Sequence, residues 1–169
     1  MRNKHVLHMV QAALIAAMYV VLTWVANLLR LANGVIQVRF SEALTILPFF
    51  TPAAIPGLFV GCIISNTITG SAIWDILFGS LATLIGASLA TLLAGLLTAR
   101  CKNKWLAPLP PILANILVVP QVLRIVYGAP DSIWYLTATV GIGEVISCGI
   151  LGMLLLFALQ KNANQIFQS

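Results

Sequence analysis

Two acidic residues and an arginine stand in apolar stretches of this sequence, where a charge needs a partner or a function. Arg39 and Glu42 lie three residues apart, a spacing that puts both on one face of a helix and lets them pair. They form either a structural ion pair or the lip of a binding site. The prolines that break this segment favour the binding site, because broken segments at membrane depth line cavities.

Glu144 ends the sequence Gly-Ile-Gly-Glu at residues 141–144. The two glycines allow another backbone to come close. No cation neighbours Glu144 along the chain, so we favour a carboxylate that binds a ligand. The alternative is an acid neutralised by a structural partner such as Arg124.

Further polar side chains lie at the borders of the apolar segments. Asp75 is either an acid that favours the start of a helix or a ligand acceptor. Trp74 beside it is either an interfacial belt residue or a flat surface for stacking a heterocycle. Asn66 and Asn115 need hydrogen-bond partners when buried, from another helix or from a ligand. Gln37 is a weaker candidate of the same kind.

The composition indicates whether these residues belong to a protein surrounded by water or by lipid. The chain has 169 residues, of which 60% are hydrophobic and 8% charged, and its mean hydropathy is +1.02. A soluble domain carries roughly a quarter charged residues. So few charges cannot cover a water-facing surface, so the sequence predicts a protein embedded in lipid. Without a soluble surface, the net charge of +5 is no sign of nucleic-acid binding.

The elements that position the polar residues are six apolar segments of an all-α, polytopic membrane protein with a single domain, 1–169. One crossing takes about 20 residues, so the first, fourth and sixth segments are long enough and the second and third are not. Pro48, Pro52 and Pro56 interrupt the junction of the second and third. The predicted segments are 9–29, 36–50, 53–69, 76–98, 111–127 and 133–159.

Basic residues predict the orientation, because cytoplasmic loops are rich in lysine and arginine. With six helices across the membrane, six of the nine cations fall on one side, and all four acids fall in outer loops or outer halves of helices. We therefore predict that both termini are cytoplasmic, in the cell membrane. The six cations are Arg2, Lys4, Arg100, Lys102, Lys104 and Lys161.

Motifs for covalent chemistry are missing from the sequence. It has no G-x-x-x-x-G-K-[ST] for ATP, no H-E-x-x-H and no G-x-S-x-G. Cys62, Cys101 and Cys148 form no C-x-x-C pair and are read as packing or incidental residues. We therefore predict a protein that is not an enzyme and that uses no cofactor or metal ion.

Small residues recur at a spacing of four in the first segment, as Ala12 with Ala16 and Ala13 with Ala17. This spacing lets a second helix approach closely. The pattern by itself leaves packing within the chain and docking on a partner equally open.

Three blocks of the sequence resemble the QueT family, the substrate-capturing S components of energy-coupling factor (ECF) transporters. They are residues 38–48 (VRFSEALTILP), residues 75–84 (DILFGSLATL) and the pair Gly143-Glu144. The resemblance extends over nearly the whole chain, and the Arg-Phe-Ser-Glu-Ala block is its most specific part.

The resemblance implies six helices with both termini inside, a membrane coupling subunit that docks on Ala12 and Ala16, and two cytoplasmic ATPases. The implied substrate is a 7-deazaguanine precursor of queuosine, such as preQ1 or preQ0. It would enter past a lid at about residues 30–37, and the loaded protein would topple in the membrane. Arg39, Glu42, Asn66, Trp74, Asp75, Asn115 and Glu144 offer the polar and aromatic groups that such a ligand needs.

A self-sufficient secondary transporter or channel for a polar or cationic solute is the alternative. In such a protein Glu144 or Asp75 would carry a proton, as intramembrane acids often do. Secondary transporters commonly contain internal repeats, and the sequence shows none convincing enough to use.

Overall fold

The computed structural model describes residues 4–33, 36–96 and 104–167, and every regular element in these ranges is helical. Two short 3-10 turns occur at Leu31–Asn33 and Lys104–Leu106. The principal elements are α1 (Lys4–Leu28), a 3-10 helix (Phe40–Phe49), α2 (Ala54–Ile68), α3 (Ile73–Leu96), α4 (Leu109–Ile125), α5 (Ile133–Glu144), a π segment (Val145–Leu151), α6 (Gly152–Gln160) and α7 (Ala163–Phe167).

Four helical stretches are long and apolar enough to cross a membrane. They are Lys4–Leu28, Ile73–Leu96, Lys104–Ile125 and Ile133–Gln160, with 25, 24, 22 and 28 residues. The last combines α5, the π segment and α6. The 3-10 helix and α2 are apolar but shorter. The all-helical class is thus confirmed for the described residues, and the two segments predicted to be too short to cross a membrane correspond to the two shorter helices.

The broken second segment forms the 3-10 helix, with Pro48 inside it. Its ten residues exceed the usual length of such a helix, since runs beyond three or four residues are uncommon. All residues from Ser41 to Pro48 are buried, between α1, α3, α6 and the π segment. Lipid offers no partners for irregular backbone, so this segment is stable only inside the protein.

Close contact between α1 and α2 depends on two glycines. A Cβ atom at Gly57 would lie 2.7 Å from the carbonyl oxygen of Ala12, and one at Gly61 would lie 3.1 Å from Cα of Ala16. Ala16 is only 8% exposed. The Ala12–Ala16 face therefore packs against α2 within the chain, which is one of the two uses that its spacing left open. Small residues on both helices cause this, because they let the two backbones meet.

The end of the bundle that carries the chain termini is closed by α7. Gln11 Nε2 donates to the carbonyl oxygen of Ile166 at 3.3 Å, and Thr51 Oγ1 donates to Gln11 Oε1 at 3.1 Å. The ring of Phe167 stacks on that of Phe50 with centroids 5.4 Å apart. Any polar opening of the bundle must therefore be sought at the opposite end.

Candidate functional site

A narrow polar cavity, here called the central cavity, lies between the chain segment 36–39 and helices α2 to α5. Its empty volume is about 390 Å³, but the space free for a water molecule is about 20 Å³, room for about one water. A larger ligand must widen it. Its polar lining consists of Gln37, Arg39, Cys62, Thr83, Asn115 and Glu144.

Arg39 enters the cavity wall from just before the 3-10 helix. Its backbone is extended, with φ −111° and ψ 110°, and its N–H donates to Ser147 Oγ at 3.1 Å. Its guanidinium donates to Gln37 Oε1 at 3.4 Å. The guanidinium thus bonds to Gln37 rather than to Glu42, and the structural ion pair considered from the spacing does not describe this geometry.

Glu42 lies in the 3-10 helix and joins three elements. Its Oε1 accepts a hydrogen bond of 2.5 Å from the Tyr19 hydroxyl of α1. Its Oε2 lies 3.5 Å from Asn115 Nδ2 of α4. Its side chain is 3% exposed. Such a buried carboxylate is stable only with donors on its oxygens, and these two helices supply them.

Glu144 lines the cavity from the junction of α5 with the π segment. Cys148, one turn later, approaches Glu144 Oε2 with its Sγ at 3.2 Å. A Cβ at Gly143 would overlap the carbonyl oxygen of Gln37. The close backbone approach expected from the Gly-Ile-Gly-Glu sequence therefore occurs at Gly143. Arg124, the alternative partner, is exposed.

Asn66 and Asp75 approach the cavity wall from the side of Gly79. A Cβ at Gly79 would lie 3.5 Å from Asn66 Nδ2 and 3.8 Å from Asp75 Oδ1. Asn66 Nδ2 also lies 3.5 Å from the sulfur of Cys62, and Asp75 Oδ2 accepts from the Tyr127 hydroxyl at 3.1 Å. The structure thus brings both side chains to the same wall, although neither lines the central cavity itself.

A second polar pocket, the vestibule, adjoins the first at Arg39, which lines both. Its empty volume is about 610 Å³, of which about 230 Å³ is free for water molecules, and it lies at the end of the bundle opposite the termini. Its polar lining consists mainly of Thr23, Asn27, Arg39, Asn66, Ser71 and Tyr127. Vestibule and cavity form a polar route into the bundle, with Arg39 between them.

Trp74 is not near this route. Its side chain is 54% exposed and stacks on Phe78 with ring centroids 6.1 Å apart. Adjacent residues on a helix point about 100° apart. Because Asp75 points into the bundle, Trp74 faces outward.

Three buried side chains of the site lie close enough together to hold a metal ion. Donor atoms of Glu42, Glu144 and Cys148 lie within 4.8 Å of one another. Hydrogen bonds from Tyr19 and Asn115, however, occupy lone pairs of Glu42 that a cation would need. This set therefore suits a ligand that donates hydrogen bonds better than a metal ion.

Sequence reasoning missed several residues of the site. Tyr19 could have been identified from the sequence, because a hydroxyl in the middle of an apolar helix requires a partner when buried. Thr83 could not, since threonine is common in such helices. Cys62 and Cys148, read as packing residues, are both buried. Cys62 lines the central cavity, and Cys148 contacts Glu144. Cys101 lies outside the described residues.

Apolar helices around a buried polar cavity define a helical membrane protein with a polar site inside its bundle. The chain belongs to the QueT transporter family, whose model matches residues 9–161, and this confirms the resemblance. It is similar to a protein named queuosine precursor transporter QueT from Lactococcus lactis subsp. cremoris (strain MG1363), with 37% identity over 93 residues.

That match covers 55% of this chain and 54% of the relative. The chain thus matches about half the length of the curated relative. No solved structure matches the chain.

Proposed function

We propose that this protein captures a queuosine precursor, a 7-deazaguanine such as preQ1 or preQ0, and takes part in its transport across the cell membrane. Membership in the QueT transporter family supports this function. The observation that carries it is the central cavity, which holds Arg39, Asn115 and Glu144 inside an apolar bundle. Buried ionisable groups in membrane proteins mark solute pathways.

The chemistry of the precursor suits these groups. A guanine-like edge presents two adjacent N–H donors, which one carboxylate accepts in bidentate fashion. The aminomethyl group of preQ1 adds a positive charge. Glu42, Glu144 and Asp75 outnumber Arg39 in this region, so a cationic ligand would improve the charge balance of a poorly solvated site.

We propose that the ligand enters through the vestibule. Arg39 and Gln37 would move aside together, since they bond to each other and lie between vestibule and cavity. The proposed lid, residues 30–37, includes Ala32 of the vestibule lining, whereas its residues 34–35 lie outside the described part of the chain.

We also propose a topology of six membrane-embedded segments with both termini cytoplasmic. Lys4, Lys104 and Lys161 lie at the end of the bundle that α7 closes, and the vestibule lies at the other end. Lysines at one end favour the cytoplasm there. The vestibule would then open to the outside, as capture of a solute requires.

For transport we propose the role of an ECF S component, with a membrane coupling subunit and two cytoplasmic ATPases. The sequence itself has no P-loop for ATP. The docking face expected on α1 moves by one residue, from Ala12 and Ala16 to Ala13 and Ala17. These two alanines are exposed and keep the spacing that lets another helix approach.

Purified protein should bind preQ1 saturably in detergent, at least about tenfold more tightly than guanine, because the aminomethyl cation adds a charge-assisted hydrogen bond. Calorimetric titration measures this, with an unrelated vitamin as the negative control. A folded sample that binds neither preQ1 nor preQ0 would overturn the proposed substrate.

Ala17→Trp should leave the dissociation constant for preQ1 within about twofold but reduce cellular uptake by about tenfold or more, because a bulky side chain blocks a close helix contact. Ala138→Trp is the matched control, since Ala138 is also exposed but lies on α5. Unchanged uptake by Ala17→Trp would contradict this docking face. Uptake by liposomes that contain the chain alone would instead support the self-sufficient transporter.

A further inference from the structure

The two buried glutamates of the site lie close together but in different surroundings. Donor atoms of Glu42, Glu144 and Cys148 lie within 4.8 Å of one another. The spacing along the sequence gave no reason to assign them different roles. Their hydrogen-bond partners in the structure, however, differ and indicate different roles.

Each oxygen of the Glu42 carboxylate already faces a donor of the protein. Tyr19 donates to one oxygen at 2.5 Å and Asn115 lies 3.5 Å from the other. The residue is 3% exposed and is not part of the cavity lining. A ligand in the cavity would have to displace Tyr19 or Asn115 to reach it.

Glu144 is in the opposite situation. It lines the central cavity, and its carboxylate accepts a hydrogen bond from the thiol of Cys148, at 3.2 Å. A thiol is a weak donor, whereas an ionised carboxylate can accept about four hydrogen bonds. Glu144 therefore retains acceptor capacity toward the cavity.

Asn115 contacts Glu42 and lines the central cavity together with Glu144. Because an ionised carboxylate only accepts hydrogen bonds, the atom of Asn115 that faces Glu42 must be its amide nitrogen. This leaves the Asn115 carbonyl oxygen available to the cavity as a second acceptor. Glu42, itself held by Tyr19, thus sets the orientation of an amide that lines the ligand space.

We infer that Glu144 is the carboxylate that accepts the N–H donors of the ligand's guanine-like edge, and that Glu42 is a positioning residue acting through Asn115. This inference rests on the proposed function, because it assigns groups within the same cavity. It also names Tyr19 as a second positioning residue, on a helix that does not line the cavity.

A cycle of ligand and protein changes tests the assignment. Dissociation constants are measured for preQ1 and for the same 7-deazapurine without its exocyclic 2-amino group, with wild type, Glu144→Gln and Glu42→Gln. Loss of the amino group should weaken binding to wild type by about 10- to 100-fold. This penalty should fall below about threefold in Glu144→Gln, because its main acceptor carboxylate is gone. In Glu42→Gln both ligands should lose affinity in parallel, so the penalty should persist.

Tyr19→Phe provides a second variant in case Glu42→Gln does not fold. It should weaken the binding of both ligands in parallel, by about three- to tenfold. Tyr135→Phe is the matched control, because Tyr135 is 47% exposed. A penalty that persists in Glu144→Gln, or that disappears in Glu42→Gln, would overturn the assignment. Failure of wild type to bind preQ1 at all would instead reject the proposed function.

Discussion

Glu42→Ala is expected to lower the melting temperature of the purified protein by about 10 °C. The substitution removes the acceptor of Tyr19 and Asn115, leaving two donors unpaired in a buried site. Each unsatisfied buried donor costs about 1–3 kcal/mol, so the two together cost about 2–6 kcal/mol, and each kcal/mol corresponds to about 2–4 °C for a chain of this size. Thermal unfolding in detergent, followed by intrinsic fluorescence, measures the change.

The control for this prediction is Asp131→Ala, because Asp131 is exposed and its loss should change the melting temperature by about 1 °C or less. Glu144→Ala should have an effect between the two, since Glu144 has weaker protein donors. A Glu42→Ala protein as stable as wild type would show that the carboxylate does not hold α1, the 3-10 helix and α4 together.

Gly143→Ala is expected to weaken preQ1 binding by about tenfold or more. The new Cβ would overlap the carbonyl oxygen of Gln37, and a backbone atom cannot rotate away as a side chain can. Overpacking of this kind costs about 1–3 kcal/mol. The chain at Gln37 and Arg39 must therefore shift, and with it one wall of the central cavity. Calorimetric titration with preQ1 tests the prediction.

Gly95→Ala is the matched control, because a Cβ at Gly95 meets no atom within 4 Å. This change lies within α3, where alanine is favoured over glycine by about 1 kcal/mol, so binding should be unaffected and stability unchanged or slightly higher. If Gly143→Ala bound preQ1 as tightly as wild type, the contact with Gln37 would be irrelevant to the site.

Helix α1 connects the proposed docking face with the ligand site. Ala17 is exposed on its outer side, and Tyr19, two residues later, is buried against Glu42. Residues two apart point to nearly opposite sides of a helix. A tilt of α1 on a partner subunit would therefore move the residue that holds Glu42. Docking and ligand binding would thus be mechanically linked through one helix.

Part of the site was predictable because local spacing decided it. The Gly-Ile-Gly-Glu sequence indicated a close backbone contact beside an acid, and Gly143 makes that contact with Gln37. Arg39 and Glu42 show the limit of such reasoning. A spacing of three implies pairing only when both residues belong to one helix. Arg39 is extended and precedes the 3-10 helix, so its side chain leaves in another direction.

The direction in which a side chain points from its helix explains the other differences between the predicted and the observed surroundings of residues. Trp74 and Ala16 were read from their types and spacing, but which side of a helix faces the bundle depends on what packs there. Trp74 faces outward because its neighbour Asp75 faces inward. Ala16 faces inward because Gly61 of α2 receives it.

Composition and the cost of polar groups in lipid were sufficient to predict a membrane environment, the helical class, the approximate segments and the presence of unusual buried charges. The family was also evident from its motifs and was confirmed by the match over residues 9–161. Which of these groups share a cavity depends on the tertiary structure. Tyr19 and Asn115 reach Glu42 from helices far from it along the chain. Their meeting depends on how the helices pack, which no local spacing encodes.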